Sequence, residues 1–296
     1  MKIADATIGR YGKLDSVTVA ILRLAGVLAG AIVLLIVLFL VRDAWPALRT
    51  VGLTRFFSDS SWHPAGGAEQ GRFNLTPMLV GTLLATAGAI AVAAPLGIAC
   101  ALFTRFYAPR RIGQVHRRVL ELLAGIPSVV YGFWGLVVLA PLIAKLQPPG
   151  QSLLAAIVIL AIMILPTVAL LSDAALRSVP AANLQAAHAM GLSRLGVIFG
   201  AALPAARGGI ATAVLLATGR AIGETMAVLM VAGNVVQVPH SVFDPVRTMT
   251  ANIALELGYA MDHHRAALFV SGLMLMLMII VLVGLSEWMG RSRSRG

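Results

Sequence analysis

Six stretches of this sequence carry almost no charge. Residues 24–41, 73–104, 122–144, 146–172 and 266–286 contain no Asp, Glu, Lys or Arg, and residues 208–236 contain only Arg220 and Glu224. A helix rises about 1.5 Å per residue, so roughly 20 apolar residues cross a hydrocarbon core of ~30 Å. The five uninterrupted stretches meet that requirement. The interrupted one counts as a single span, because either part alone is too short. The pattern predicts six transmembrane helices and therefore an all-α integral membrane fold. Pro95, Pro127 and Pro166 fall inside predicted spans, where neighbouring helices and polar groups satisfy the freed backbone.

The first span follows Lys2, Arg10, Lys13 and Arg23, a charge pattern shared with secretory signals. Its 18 uncharged residues are long for a signal core, and no small-residue cleavage site follows. It reads as a retained helix with a cytoplasmic N-terminus. The predicted organisation is a cytoplasmic N-terminal segment 1–23, a six-helix transmembrane domain 24–290 and a basic cytoplasmic tail 291–296. The two long outer loops, 42–72 and 237–265, offer a docking surface, and the main inner loop runs over 173–207.

Composition agrees with the pattern. Hydrophobic residues make up 59% of the chain and charged residues 12%, with a mean hydropathy of +0.90, against about 25% charged in soluble domains. The net charge of +11 is explained by topology. With both termini cytoplasmic, fifteen of the 23 Lys and Arg fall inside, seven outside and Arg220 within the bilayer, the bias that orients membrane proteins. No nucleic-acid partner is needed to account for it.

Catalytic chemistry finds little support. The one cysteine, Cys100, excludes an intramolecular disulfide and a cysteine metal site. All six histidines are predicted in loops, and no HExxH or Cys/His cluster accompanies them. His263 and His264 beside Asp262 read as a solvated turn. No P-loop is present, so any ATP driving this protein binds another chain. The expectation is a non-enzyme with no metal and no cofactor of its own.

Arg220 and Glu224 are the strongest candidates for function. A charge at mid-membrane costs at least about 2.5–3.5 kcal/mol, so both are expected to face the bundle interior or a wet cavity. Their spacing of four puts them on one face of the span, where they can neutralise each other. One reading is a structural ion pair. The other is an anion or proton site, in which the guanidinium fork binds an oxyanion and the carboxylate holds it between turnovers. Gly219 and Gly223 permit close approach, and Thr225 adds a hydroxyl. Ser128 and Tyr131, three apart on the third span, either line the same path or bond within the bundle.

In the inner loop, Gln185-Ala186-Ala187 is followed by Gly191 and then by Leu203-Pro204. This spacing resembles the cytoplasmic EAA loop of ABC importer permeases, with Gln185 for the usual Glu and Ala201 for the usual Ile. The strings GRAIGETMAVLM at 219–230 with Gly233-Asn234, IPSVVYGFWGL at 126–136 and ILAIMILP at 159–166 are more specific. They resemble the PstC/PstA permeases of phosphate ABC importers. The long first outer loop from Trp45-Pro46 favours the PstC branch.

The resemblance implies a type I importer permease that forms the phosphate pathway with a PstA-like sister subunit by alternating access. It also implies a PstB-like ATPase dimer that uses ATP and Mg, a PstS-like phosphate-binding protein outside, and a place in the bacterial inner membrane. The segment 178–207 becomes the coupling loop seated on the ATPase, and Arg220 and Glu224 become pathway residues. A permease for another oxyanion or small solute is the alternative. A membrane enzyme or ion-driven carrier lacks a catalytic set and leaves the coupling loop unexplained.

Overall fold

The computed structural model describes the backbone of residues 2–292 and the side chains of residues 17–284. Expectations for Lys2, Arg10, Lys13 and the tail at 291–296 concern side chains outside the described residues. The helices are α1 (Lys2–Thr50), α2 (Thr76–Tyr107), α3 (Arg110–Gly125), α4 (Ser128–Ala144), α5 (Leu153–Arg177), α6 (Ala181–Ala189), α7 (Arg194–Gly223), α8 (Met226–Val231), α9 (Met249–Glu256) and α10 (Asp262–Ser292). α1, α2, α5, α7 and α10 are each long and apolar enough to cross a membrane, and α3 with α4 passes the same test as a pair bent by 90°. The all-α membrane fold with up to six spans is therefore present.

The centre of the bundle is the pairing of α2 with α5. On α2 a small residue recurs every fourth position, at Gly81, Ala85, Ala89, Ala93, Gly97 and Ala101, and all six are buried. Positions four apart fall on one helix face, so these residues form a smooth seam against which another backbone can lie closely. A Cβ added at Gly97 would stand 2.8 Å from Val168 of α5, and one at nearby Gly88 2.5 Å from Ile157. Ile159, Leu160, Met163, Ile164 and Val168 of α5 complete this core.

Several boundaries differ from the sequence expectation. The third span does not begin at Leu122: Pro127 disfavours helical backbone at Ile126, and the chain turns there, giving residues 122–125 to the amphipathic α3. The first helix runs on past Val41 through Trp45 and Pro46 to Thr50, so the first outer loop is shorter than predicted. α5 starts at Leu153, not Leu146, with Ser152 capping it by accepting the Ala155 N–H. In the inner loop Asp173 and Arg177 belong to α5, while Leu203 and Pro204 already lie inside α7.

The two ends of the bundle are built differently. At the α6 end, Ala101, Leu176, Val179, Ala202 and Ala206 form a small cluster. Asp173 is buried there and accepts from Arg177 Nε at 2.8 Å and from Arg117 Nη1 of α3 at 3.4 Å.

At the opposite end, β1 (Trp62–His63) pairs antiparallel with β2 (Arg72–Phe73). Phe56, Trp62 and Phe73 from this loop are buried with Ala44 and Ala47 of α1 and Leu268 of α10. The segment after Thr50 is therefore packed as a cap on its inner side, while Leu53 and Phe57 remain exposed on it.

Under the cap lies a polar cluster that the sequence reading placed in solvent. Glu256 is buried; its Oε1 lies 2.7 Å from Arg247 Nη1, and its Oε2 accepts Trp62 Nε1–H at 2.8 Å and lies 2.8 Å from His264 Nε2. Arg247 also donates to Asn252 Oδ1 and to the Asn234 carbonyl. His264 is thus a buried residue in the first turn of α10, not part of a solvated turn. His116 and His188 are likewise on helices, in α3 and α6.

Candidate functional site

The predicted fifth span is not one helix. α7 ends at Gly223, Glu224 is extended (φ −70°, ψ 127°), and α8 restarts at Met226. Gly219 and Gly223 weaken the last turn, since glycine costs about 1 kcal/mol relative to alanine in a helix. The groups freed by the break find other partners. The Glu224 carbonyl accepts Thr250 Oγ1–H of α9 at 2.9 Å, and Glu224 Oε1 accepts the Ala227 N–H at 3.1 Å.

Beyond α8 the chain reverses at Gly233 and Asn234, both at positive φ (83° and 56°). The turn is locked by Asn234 N–H to the Val246 carbonyl and Val246 N–H to the Ala232 carbonyl. A Cβ at Gly233 would stand 2.6 Å from Pro245, so the position needs glycine for space as well as conformation.

The break separates the two charges predicted to pair. Arg220 stays in the last turn of α7, where the helix carbonyl ends favour a cation. Its Nη1 donates to Thr167 Oγ1 of α5 at 3.1 Å. Glu224 turns to the N–H at the start of α8, and no salt bridge joins it to Arg220. The shared-face geometry fails because residues 220 and 224 are not on one helix.

Among the described residues no carboxylate pairs with Arg220. Thr167 lies ten residues from the Arg177 end of α5, about 15 Å along the axis, so the guanidinium is held near the middle of the bundle by a neutral hydroxyl.

The other predicted site residues are scattered around this break. Tyr131 is buried on α4 and donates its hydroxyl to the Leu123 carbonyl of α3 at 2.8 Å, tying the corner between the two helices. Ser128 opens α4 in a half-buried position. Thr225 Oγ1 donates locally to the Gly223 carbonyl. α4 meets the break through Gly132, where an added Cβ would be 2.8 Å from Ala227 Cα. Thr167 was missed by the sequence reading, although it directly follows Pro166 of the quoted string ending at that residue.

At the α6 end, Gln185 and Ala186 are exposed on α6 while Ala187 packs inward. Gly191 ends the helix in the left-handed conformation (φ 73°) typical of a C-terminal glycine. Met190, Leu195 and Phe199 present exposed apolar side chains beside it. Leu203 and Pro204 sit at the start of the main part of α7, so the motif spans a helix, a turn and the root of a membrane span.

This chain belongs to the family of binding-protein-dependent transport system inner membrane components, whose model matches residues 93–295. Among its relatives is the phosphate transport system permease protein PstC of Mesorhizobium japonicum, 33% identical over 96% of this chain and 92% of that protein. The probable ABC transporter permease protein YqgH of Bacillus subtilis is 37% identical over 80% of this chain and 78% of its own length.

The fold resembles the inward-facing MetNI methionine ABC transporter, with TM-score 0.57 at 18% identity over 74% of this chain and 93% of that one. Members of the family are ABC transporter permease subunits and work with other transporter components. The chain is accordingly a multi-pass protein of the bacterial inner membrane, and its family is one of transport components.

Proposed function

We propose that this chain is a membrane-spanning permease subunit of an ATP-driven phosphate importer. It forms the pathway with a PstA-like sister, coupled to a PstB-like ATPase dimer and supplied by a PstS-like phosphate-binding protein. The observation that carries the reading is Arg220, a mid-bundle guanidinium whose one hydrogen-bond partner is Thr167. Most of its donors remain free to take a tetrahedral oxyanion, for which a guanidinium is well matched. The PstC relatives support phosphate as that oxyanion.

In this reading Glu224, Thr225, Ser128 and Tyr131 shape the path around Arg220, with Glu224 acting through the break. Gln185, Ala186, Ala187, Gly191, Leu203 and Pro204 form the coupling segment within 178–207, which makes the α6 end cytoplasmic. ATP and Mg act on the partner ATPase, and this chain holds no metal or cofactor. Residues 24–290 form the permease domain, with cytoplasmic segments 1–23 and 291–296. ATP-driven closure pulls on α6, and α7, which begins at Arg194 beside that segment, carries the movement to Arg220.

The test is radiolabelled phosphate uptake in vesicles holding the assembled importer, comparing wild type with Arg220→Gln. Charge-assisted hydrogen bonds contribute about 1.5–3 kcal/mol, so uptake should fall by about 10- to 100-fold with assembly intact. Undiminished uptake would remove Arg220 from the path. Uptake of a different oxyanion in preference to phosphate would favour the alternative solute.

A further inference from the structure

α3 is a helix with three distinct faces. At 100° per residue, Gly113, His116, Leu120 and Leu123 share the arc that packs on the protein, with Gly113 and Leu120 buried. Ile112, Val115, Val119 and Leu122 fall within an adjoining arc of about 80° and are all exposed, at 53%, 60%, 47% and 73%. The third arc holds Arg110, Arg111, Gln114, Arg117, Arg118 and Glu121. Arg111 and Arg118 stand at its edge, next to the exposed apolar arc. Arg117 turns the other way, toward Glu121 and Asp173.

The placement of this helix gives the exposed arc a neighbour. α3 is bent by 90° from α4; with the apolar Ser128–Ala144 of α4, about 25 Å long, taken as the crossing arm, α3 runs along the membrane plane. Arg117 reaches Asp173 in the last turns of α5, which sets α3 at the level where the spans leave the hydrocarbon. A helix lying in that plane, with an apolar arc and flanking arginines, has the form of an interfacial anchor.

We propose that α3 seats in the leaflet at the α6 end of the bundle. Ile112, Val115, Val119 and Leu122 enter the acyl chains, and Arg111 and Arg118 hold phosphates of anionic phospholipids. The surface selects anionic lipid because both arginines flanking the apolar arc are unpaired and no carboxylate shares that edge. Glu121 is engaged by Arg117. Calling this leaflet cytoplasmic rests on the proposed function, whereas the lipid contact itself does not.

The assembled importer in lipid nanodiscs tests this, with a nitroxide placed at Val115→Cys or Leu122→Cys in a Cys100→Ala background and the unsubstituted complex subtracted. With phosphatidylglycerol present, both positions should be several-fold more accessible to oxygen than to a polar nickel complex, and Gln114→Cys should show the reverse. The fraction of phosphatidylglycerol needed for half-maximal embedding should rise about 5-fold for each of Arg111→Gln and Arg118→Gln. Protection from both probes at 115 and 122 would mean that a partner subunit covers the arc, and full embedding in neutral lipid would remove the selectivity; either overturns the proposal. Because depth is read without transport, an importer that moves no phosphate still gives the answer.

Discussion

Two clusters of polar groups in this molecule, one buried and one half-buried, are built on opposite plans. Under the cap, Glu256 is saturated: Arg247, Trp62 and His264 all meet its two oxygens. At the break between α7 and α8, Arg220 has one hydroxyl partner and Glu224 one backbone N–H. A buried carboxylate held on both oxygens fixes structure, because removing a partner leaves a buried charge uncompensated. A guanidinium with donors to spare fixes little and is available to a passing ligand. On the proposed function, the same residue types would serve stability at one end and transport in the middle, distinguished by how many of their bonds the protein itself supplies.

The sharpest way to break this contrast is at the saturated end. Glu256→Ala removes the shared acceptor of three side chains and should destabilise the subunit by about 3–5 kcal/mol, the usual effect of breaking a buried ion pair. In a thermal-stability assay on the assembled complex, that corresponds to a drop on the order of 10 °C. Survival of the wild-type melting temperature would show that the cap does not depend on its carboxylate.

At the unsaturated end, stability and transport should separate. Thr167→Val frees Arg220 of its partner and should lower phosphate uptake by about 10-fold with little change in melting temperature, and Thr167→Ser should restore it. Equal losses in both assays would make Thr167 a packing residue.

Glu224→Gln should have a smaller structural effect, about 1 kcal/mol at most, because the amide oxygen can still accept the Ala227 N–H. A loss of uptake beyond that would place the carboxylate charge itself in the cycle.

The smallest effect is expected outside the spans, at Asp244. The backbone N–H groups of Ser241 and His240 hold its carboxyl below the ordinary carboxylate range. A depressed folded pKa stabilises above the unfolded value of about 3.9 and loses that contribution as pH falls through the folded value. Asp244→Asn should therefore flatten the acid limb of the stability profile, with a slight loss of stability at neutral pH and none at a pH below the folded value. A steeper limb in the variant would reverse the sign assigned here.

The number of spans was legible in the sequence because charge-free length is a direct record of the membrane. The kinks were not. Residues 208–236 form one hydrophobic stretch, and only tertiary bonds such as Thr250 to the Glu224 carbonyl show that the helix stops inside it. The break also separated Arg220 from Glu224, which spacing alone placed on one face. His264 read as solvated because a polar residue in a loop gives no sign that it meets Glu256, which Trp62, 194 positions from Glu256, covers. The small-residue period from Gly81 to Ala101 was legible and went unread, since it carries no charge and no motif.

That period has a mechanical consequence. With α2 presenting glycine and alanine along this seam, the side chains of Val168 and Ile157 of α5 reach directly onto its backbone, and this close fit makes the pair a rigid rail. The expected place for motion during a transport cycle is then the unwound joint at Glu224, where α7 and α8 meet. Probe pairs across the rail should keep one distance through the cycle, while pairs across the joint should report at least two.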